Sequence, residues 1–293
     1  SVDVVTYEFE NVPVEAACHL AEIVPVRPGP RALQVAQDRL VEKQFISGLG
    51  VQVAPFARVD TAQDLAAALD RFGGQCILKT RRFGYDGKGQ VSVAPGDDCT
   101  QALAAVGNAP AILEKRLSFA CEVSVLVVRG RDGQDRFYDI PQNTHSGGIL
   151  RRSVVPSSLA PEEQELARRM AHRIAEALDY VGVLAVEMFY MGPGSEEPLY
   201  VNEIAPRVHN SGHWTMDACP VSQFENHIRA VAGWPLGSTE RHSNAEMINL
   251  IGKDVQAWRE LAAEAGMLIH LYGKREPRDG RKMGHINRLF PKC

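Results

Sequence analysis

The chain has 293 residues, 45% hydrophobic and 23% charged, a globular composition that excludes a disordered tail, a collagen-like repeat and a coiled coil. Its 32 basic residues stand against 36 acidic ones, a net charge of −4 with no Lys/Arg block, so there is no electrostatic footprint for nucleic acid. No window approaches about 18 uninterrupted apolar residues, and the N-terminus SVDVVTYEFENVP has acids where a signal peptide carries positive charge; no membrane span and a cytoplasmic setting are expected.

In chain order, VDVVTY reads as a short buried strand and Pro13 opens a helix over VEAACHLAEI. After the breaker RPGPR, the spacing of Leu33, Ala36, Leu40 and Val41 predicts one helix from Arg31 to Ser47, stopped by Gly48 and Gly50. VQVAPFARV is a strand candidate. Thr61 and Asp64 form a capping box for the helix DLAAALDRF, closed by Gly73 and Gly74. The strands CILKT and VSVA flank the loop FGYDGKGQ, and a short helix near Gln101–Val106 leads to the strand AILEKRL. CEVSVLVVRG and RFYDIPQ read as a hairpin, ILRRSVVP as a further strand.

Pro161 and the acids after it begin a helix running to about Asp179, with Leu166, Met170, Ile174 and Leu178 as its apolar stripe. VLAVEMFY and LYVNEIA are two strands around the turn GPGSEEP. A helix near Val221–Val231, a linker WPLGSTERHSN, the segment AEMINLIG, a helix near Val255–Ala265 and the segments MLIHLYGK and MGHINRLF complete the chain. Strands outnumber helices and many are joined by hairpin-like turns, which argues for α+β with mainly antiparallel sheets and against a doubly wound domain. Six cysteines lie scattered without C-x-x-C spacing and read as small reduced hydrophobes, with neither disulfide nor zinc expected.

Several residues can carry chemistry. The loop from Gly84 to Gln90 has neither a P-loop nor a dinucleotide fingerprint; between two strands it is either a flap over phosphates or a plain hairpin turn. Lys79 ends the strand before it, where its ammonium is either solvated or set to meet those phosphates. A turn symmetric about Ser195 places Glu187 and Glu203, each eight residues away, opposite one another on one face. Like charges directly opposite are destabilising, so the pair asks for a cation, and Mg²⁺ suits two carboxylates plus phosphates. His209 and His213 have the i, i+4 spacing of a zinc pair on a helix, but Asn210, Ser211 and Gly212 between them favour a loop, where Arg207 suits an anion. Lys274, Arg275, Arg278, Arg281 and Lys282 surround a turn that could grip a phosphate or form a solvated face.

In order along nearly the whole chain, VVTYEFENVP, RPGPRALQVAQDR, ILKTRRFGYDGKGQ, EKRLSFACEVS, HSGGILRRSVVP, VNEIAPRVHNSGHWT and YGKREPRDGRKMGHIN resemble the N5-carboxyaminoimidazole ribonucleotide synthetase family of ATP-grasp enzymes. The resemblance implies ATP between two small sheets. Arg39 and Lys79 would face its phosphates, covered by Gly84, Tyr85, Asp86, Gly87, Lys88, Gly89 and Gln90. Glu114, Lys115, Arg116 and Leu117 would hold adenine, Glu122 the ribose, with His145 nearby. Asn202 and Glu203, with Glu187, would hold Mg²⁺; 5-aminoimidazole ribonucleotide would meet Tyr85, Asp86, Lys88, Lys274 and Arg281, and bicarbonate Arg207, His209 and Asn210.

The implied reaction is ATP-dependent carboxylation of that ribonucleotide through carboxyphosphate, in purine biosynthesis, by a homodimer. Three segments are expected: residues 1–30 as a remnant of an N-terminal α/β domain, 31–236 as the ATP-grasp domain and 237–293 as a C-terminal domain. Family members begin with a Gly-rich nucleotide-fold domain before the VVTYEFE strand, most of which is expected to be missing here. The alternatives are another ATP-grasp ligase, such as a formate-dependent ribonucleotide transformylase, and a non-catalytic nucleotide-binding subunit.

Overall fold

A computed structural model describes residues 1–84 and 89–292; Tyr85, Asp86, Gly87, Lys88 and Cys293 lie outside the described residues. VDVVTY does not form the buried strand its composition suggests. Val5 makes one parallel bridge to Val26, and Val4 and Val5 are only half-buried, because no second strand among the described residues lies alongside to complete a ladder. Helix α1 (Val14–Ala21) follows, with Pro13 as its N-cap.

The single helix expected from Arg31 to Ser47 is two, α2 (Pro30–Ala36) and α3 (Arg39–Gly48). Asp38 breaks it: its backbone is extended and its carboxylate accepts the N–H groups of Leu40 and Val41, at 3.0 and 3.3 Å, so that a new helix starts. Arg81 holds the same carboxylate at 2.6 Å. The restart also corrects the buried face. Val41 is 37% exposed, while Glu42 and Lys43 are 2% and 1% exposed.

Four antiparallel strands make a small sheet: β1 (Phe56–Val59), β2 (Cys76–Thr80), β3 (Gln90–Val93) and β4 (Ala111–Lys115), in the order β1-β4-β2-β3. Helices α4 (Ala62–Phe72), with the expected Thr61–Asp64 capping box, and α5 (Cys99–Ala105) cover one face over Leu65, Leu69, Leu78, Leu103 and Leu113. The strand expected over VQVAPFARV is confined to β1, Val53 adding one bridge to Val201.

A nine-stranded sheet forms the body of the molecule. Its strands are β5 (Cys121–Arg129), β6 (Asp135–Phe137), β7 (Gln142–Ser146), β8 (Ile149–Val155), β9 (Gly182–Tyr190), β10 (Leu199–Ala205), β11 (Ser243–Ile251), β12 (Met267–Leu271) and β13 (Lys282–Pro291). Their order is β10-β9-β5-β7-β8-β11-β13-β12, with β6 beside β5, and every pairing is antiparallel. The last three strands thus continue the sheet through β11 and β8, where Ala245 pairs with Val155.

Helix α6 (Pro161–Ala177) packs Ala167, Met170, Ala171 and Ile174 onto one face of this sheet, against Val123, Val125, Val127, Leu184, Val186 and Met188. The opposite face is divided. At one end Leu126, Val128 and Val183 are covered by α7 (Thr215–Ala218), α8 (Gln223–Ala232) and Trp214; α9 (Trp258–Ala263) lies beside β12. At the other end Glu122, Glu187 and Phe189, on the same face of the strands, look toward the small sheet.

Candidate active site

Between the two sheets lies a cavity of about 590 Å³, in the size range of small-molecule sites. Its floor depends on a bulge in β10. Leu199, Tyr200 and Val201 pair with Tyr190, Phe189 and Met188, but the register then shifts at Asn202, and Glu203 pairs with Glu187. Turn symmetry alone therefore gives the right partners for an incomplete reason. Without the extra residue, Asn202 would oppose Glu187 and Glu203 would turn into the core under α6 with Val186. With it, both carboxylates line the cavity.

Two consecutive residues of α3 bracket that bulge. The Lys43 ammonium donates to the carbonyls of Val201, at 3.3 Å, and Asn202, at 2.6 Å, and the Glu42 carboxyl accepts the N–H of Ile204 at 2.7 Å. Burial, then the neighbouring Glu203, pushes the Glu42 carboxyl up to about 8. Neither residue stood out in the sequence, since a Glu-Lys pair inside an amphipathic helix reads as its solvated face.

The two cations expected to face phosphates, Arg39 and Lys79, are in ion pairs. Arg39, in the first turn of α3, donates to Glu203 at 2.8 Å and to the Gly84 carbonyl at 3.3 Å. Burial works to raise the Glu203 carboxyl, yet the Arg39 guanidinium and the nearby Lys79 ammonium act together against it, and the group is held down at about 2. Lys79 is buried and donates to Glu114 at 2.9 Å, with Lys43 at 3.7 Å from the same carboxylate. Glu114 therefore turns its side chain inward to two lysines; Lys115, Arg116 and Leu117 line the cavity after it.

On the large sheet, ligand atoms of Glu122, His145 and Glu187 lie within 4.8 Å of one another. Burial disfavours charge on His145, but its hydrogen bond to Glu122 and the nearby Glu187 raise its pKa above the usual histidine value. His145 sits on β7, a strand absent from the sequence reading because its inward residue, Asn143, is polar and leaves no apolar alternation. Asn202 lines the cavity beside Glu203, and its side-chain oxygen is buried without a hydrogen-bond partner among the described residues. An orphaned oxygen next to two carboxylates is a donor set that suits a hard divalent cation.

The segment after β10 supplies the rest. Arg207 grips the Glu10 carboxylate with two nitrogens, one at 2.8 Å. His209 directs Nε2 to Glu187 at 3.0 Å. Asn210 exchanges hydrogen bonds with Asn249 at 3.0 and 2.6 Å. A 3-10 turn, Asn210–Gly212, separates His209 from His213, which instead meets Gln223 and the ring of His285; a zinc pair is not what these histidines form.

Arg39, Lys79, Gly84, Gln90, Glu114 to Leu117, Glu122, His145, Glu187, Asn202, Glu203, Arg207, His209 and Asn210 all border the one cavity. Gly89, Lys274 and Arg281 are not among the described residues lining it; Lys274 donates to the Lys282 carbonyl at 2.7 Å and Arg281 to that of Glu276 at 3.0 Å. Lys282 does line it. The roles expected of Tyr85, Asp86, Gly87 and Lys88 lie outside the described residues. The sequence reading missed Glu10, Gln37, Glu42, Phe119 and Phe189, the last two stacked with ring centroids 4.6 Å apart.

An α+β architecture of two antiparallel sheets, with acids on the large sheet facing cations from the small one, defines an ATP-grasp enzyme. The ATP-grasp domain model matches residues 44–224, the ribonucleotide synthetase preATP-grasp domain residues 1–37, and the phosphoribosylaminoimidazole carboxylase C-terminal domain residues 245–292. The chain is 51% identical over 292 residues to the N5-carboxyaminoimidazole ribonucleotide synthase of Brucella melitensis, covering 99% of this chain and 80% of that protein. It therefore belongs to the N5-carboxyaminoimidazole ribonucleotide synthase family, ATP-dependent ligases of purine biosynthesis. The crystal structure of the Thermus thermophilus synthetase superposes with a TM-score of 0.91 at 49% identity, covering 99% of this chain and 77% of that one. The Aspergillus clavatus enzyme in complex with ADP and 5-aminoimidazole ribonucleotide gives a TM-score of 0.91 at 30% identity, with the same coverage. No helix of the described residues is long and apolar enough to cross a membrane.

Proposed function

We propose that the chain binds Mg-ATP between its sheets and uses it to carboxylate 5-aminoimidazole ribonucleotide with bicarbonate, giving N5-carboxyaminoimidazole ribonucleotide, ADP and phosphate. The observation that carries this is the bulge-set pairing of Glu187 with Glu203, beside the orphaned Asn202 oxygen and across from Arg39 and Lys79. Such a cavity offers oxygen donors to a divalent cation and cations to a triphosphate.

Glu187, Glu203 and Asn202 would hold Mg²⁺, which when bound adds positive charge against the phosphoryl oxygens. Arg39 and Lys79 would exchange their carboxylate partners for phosphates, under the loop from Gly84 to Gln90. Lys115, Arg116, Leu117 and Phe119 would border adenine, and Glu122 with His145 the ribose. Bicarbonate is a poor electrophile; phosphorylation at its oxygen gives carboxyphosphate, whose carboxyl group, or the CO₂ it releases, is captured by the exocyclic amine. Closure over that labile species would exclude water. Arg207, now holding the Glu10 carboxylate, would take the bicarbonate-derived anion together with His209 and Asn210. Tyr85, Asp86, Lys88, Lys274 and Arg281 would meet the ribonucleotide. The three-segment division at residues 30 and 236 and the homodimer rest on the resemblance, and the cytoplasmic setting on the chain's apolar patterning and acidic N-terminal stretch.

Turnover with bicarbonate labelled with ¹⁸O in all three oxygens tests the reaction. One labelled oxygen in each phosphate released is the expected result. Unlabelled phosphate contradicts it, and formate substituting for bicarbonate contradicts it in favour of the transformylase alternative.

A further inference from the structure

Behind His209 runs a buried row of polar side chains that neither ATP nor the metal would touch. Ser153, Ser124 and Ser211 are fully buried and Asn143 nearly so. Buried hydroxyls and amides of this kind are retained only when each finds partners, so their proton directions can be worked out one by one. The end next to His209 fixes the order. The backbone N–H of Ser211 points at His209 Nδ1 at 3.3 Å, and a backbone donor cannot be reversed. Nδ1 must therefore present its lone pair.

The Ser211 hydroxyl, 2.9 Å from the same nitrogen, then donates to it as well. Having given its proton, Ser211 accepts from Ser124 at 2.7 Å. Ser124 in turn accepts from the Asn143 amide nitrogen at 3.0 Å, and the Asn143 oxygen accepts from Ser153 at 2.7 Å. Every link has one donor and one acceptor, and reversing the row would leave two protons facing each other at Nδ1. At the far side of the ring, Nε2 lies 3.0 Å from the Glu187 carboxylate, an acceptor, which independently asks for a proton on Nε2.

We infer that His209, with its proton set on Nε2 by the Ser211 backbone N–H and the Glu187 carboxylate, serves this site as a hydrogen-bond donor and not as the proton acceptor, and that the Ser211, Ser124 and Asn143 side chains are positioning residues that hold its ring in that orientation. Its single lone pair is turned away from the cavity into the row of serines. The ring can stabilise an anion or orient Glu187; the proton released when the amine captures the carboxyl group must go elsewhere. The sheet builds this arrangement: Ser124 pairs with Glu187 between β5 and β9, and Asn143 with Ser153 between β7 and β8, so the row crosses the strands that carry the acids. The inference rests on the reading that His209 meets the bicarbonate-derived group.

The test combines a spectroscopic and a kinetic readout. With ¹⁵N-labelled histidine, the His209 ring signals, assigned by their loss in His209→Gln, are expected to report a proton on Nε2 in mildly alkaline buffer. Ser211→Ala removes the hydroxyl donor to Nδ1 but keeps the backbone N–H, so the proton is expected to stay on Nε2 while the ring is held less firmly, lowering kcat without changing the KM for ATP. Glutamine can donate from its amide but cannot take up a proton, so His209→Gln should keep turnover within about tenfold of wild type, whereas His209→Leu should lose about a hundredfold, as for a missing anion-stabilising donor. A proton on Nδ1 in the wild type, or Gln no better than Leu, overturns the inference. Full turnover in His209→Leu would instead overturn the bicarbonate reading on which it rests, and the donor role with it.

Discussion

Glu203 shows how much one side chain can be asked to do. It is paired with Arg39 in the cavity, held well below the ordinary carboxylate range, and so is ionised and ready for a cation across the whole working pH range. Glu203→Gln keeps the shape and removes the charge. Mg²⁺-dependent turnover is expected to fall by about a hundredfold or more while thermal unfolding stays cooperative; normal turnover at saturating Mg²⁺ would remove Glu203 from the metal site. Glu42, one turn of helix away from Arg39, behaves in the opposite sense, its carboxyl pushed up to about 8 by burial and by Glu203. Below about pH 4 both folded and unfolded chains hold that proton; as the pH rises to about 8 the unfolded chain releases it first, so stability falls through that window and levels off above it. Glu42→Gln should abolish this slope. Urea unfolding at about pH 5 and about pH 8.5 checks it: the variant is expected to gain on the wild type at the higher pH, and a gap that does not change with pH contradicts the assignment.

Among the elements, the bulge in β10 and the break between α2 and α3 act together. Asp38 restarts the helix so that Arg39, Glu42 and Lys43 face inward, and the last two grip the strand on either side of Asn202. Lys43→Met leaves the Asn202 and Val201 carbonyls without this donor and takes one of two lysines from Glu114. Stability is expected to drop by about 3 kcal/mol in urea unfolding, and the Mg²⁺ concentration needed for half-maximal turnover to rise. A variant with lower stability but an unchanged Mg²⁺ requirement would show that the bulge does not need the clamp to aim Glu203.

These elements also mark where sequence reasoning stops. Apolar periodicity located the capped helix α4, the long helix α6 and strands β5, β9 and β10, because each buries a regular apolar face. It ran through Asp38 because an N-cap inside an amphipathic stretch competes for backbone N–H groups without disturbing the spacing of Leu33, Ala36 and Leu40. It put Val41 in the buried stripe and did not single out Glu42 and Lys43, since buried ion pairs carry no apolar signature. A bulge adds one residue with no change in composition, so the Glu187–Glu203 pairing could be read from turn symmetry but not the slip at Asn202 that produces it.

At the level of the whole molecule, two sheets of opposite charge character close on one cavity. The large sheet contributes Glu122, Glu187 and Glu203, the small sheet and α3 contribute Lys79 and Arg39, and each set is held on strands or a helix rather than on loops. The C-terminal strands join the same sheet through β11 and bring Lys282 to the rim. That architecture, and its family, were legible in ordered motifs spanning most of the chain; the partners of the cavity residues, such as Glu10 on Arg207, were not, because they lie far apart in sequence. The central claim is that this cavity couples ATP cleavage to carboxylation of one acceptor. The measurement that tests it most directly is ADP release by the purified chain with Mg-ATP and bicarbonate, in the presence and absence of 5-aminoimidazole ribonucleotide. Release that requires the ribonucleotide is the expected result. Equal release without it, or none under either condition, would contradict the claim.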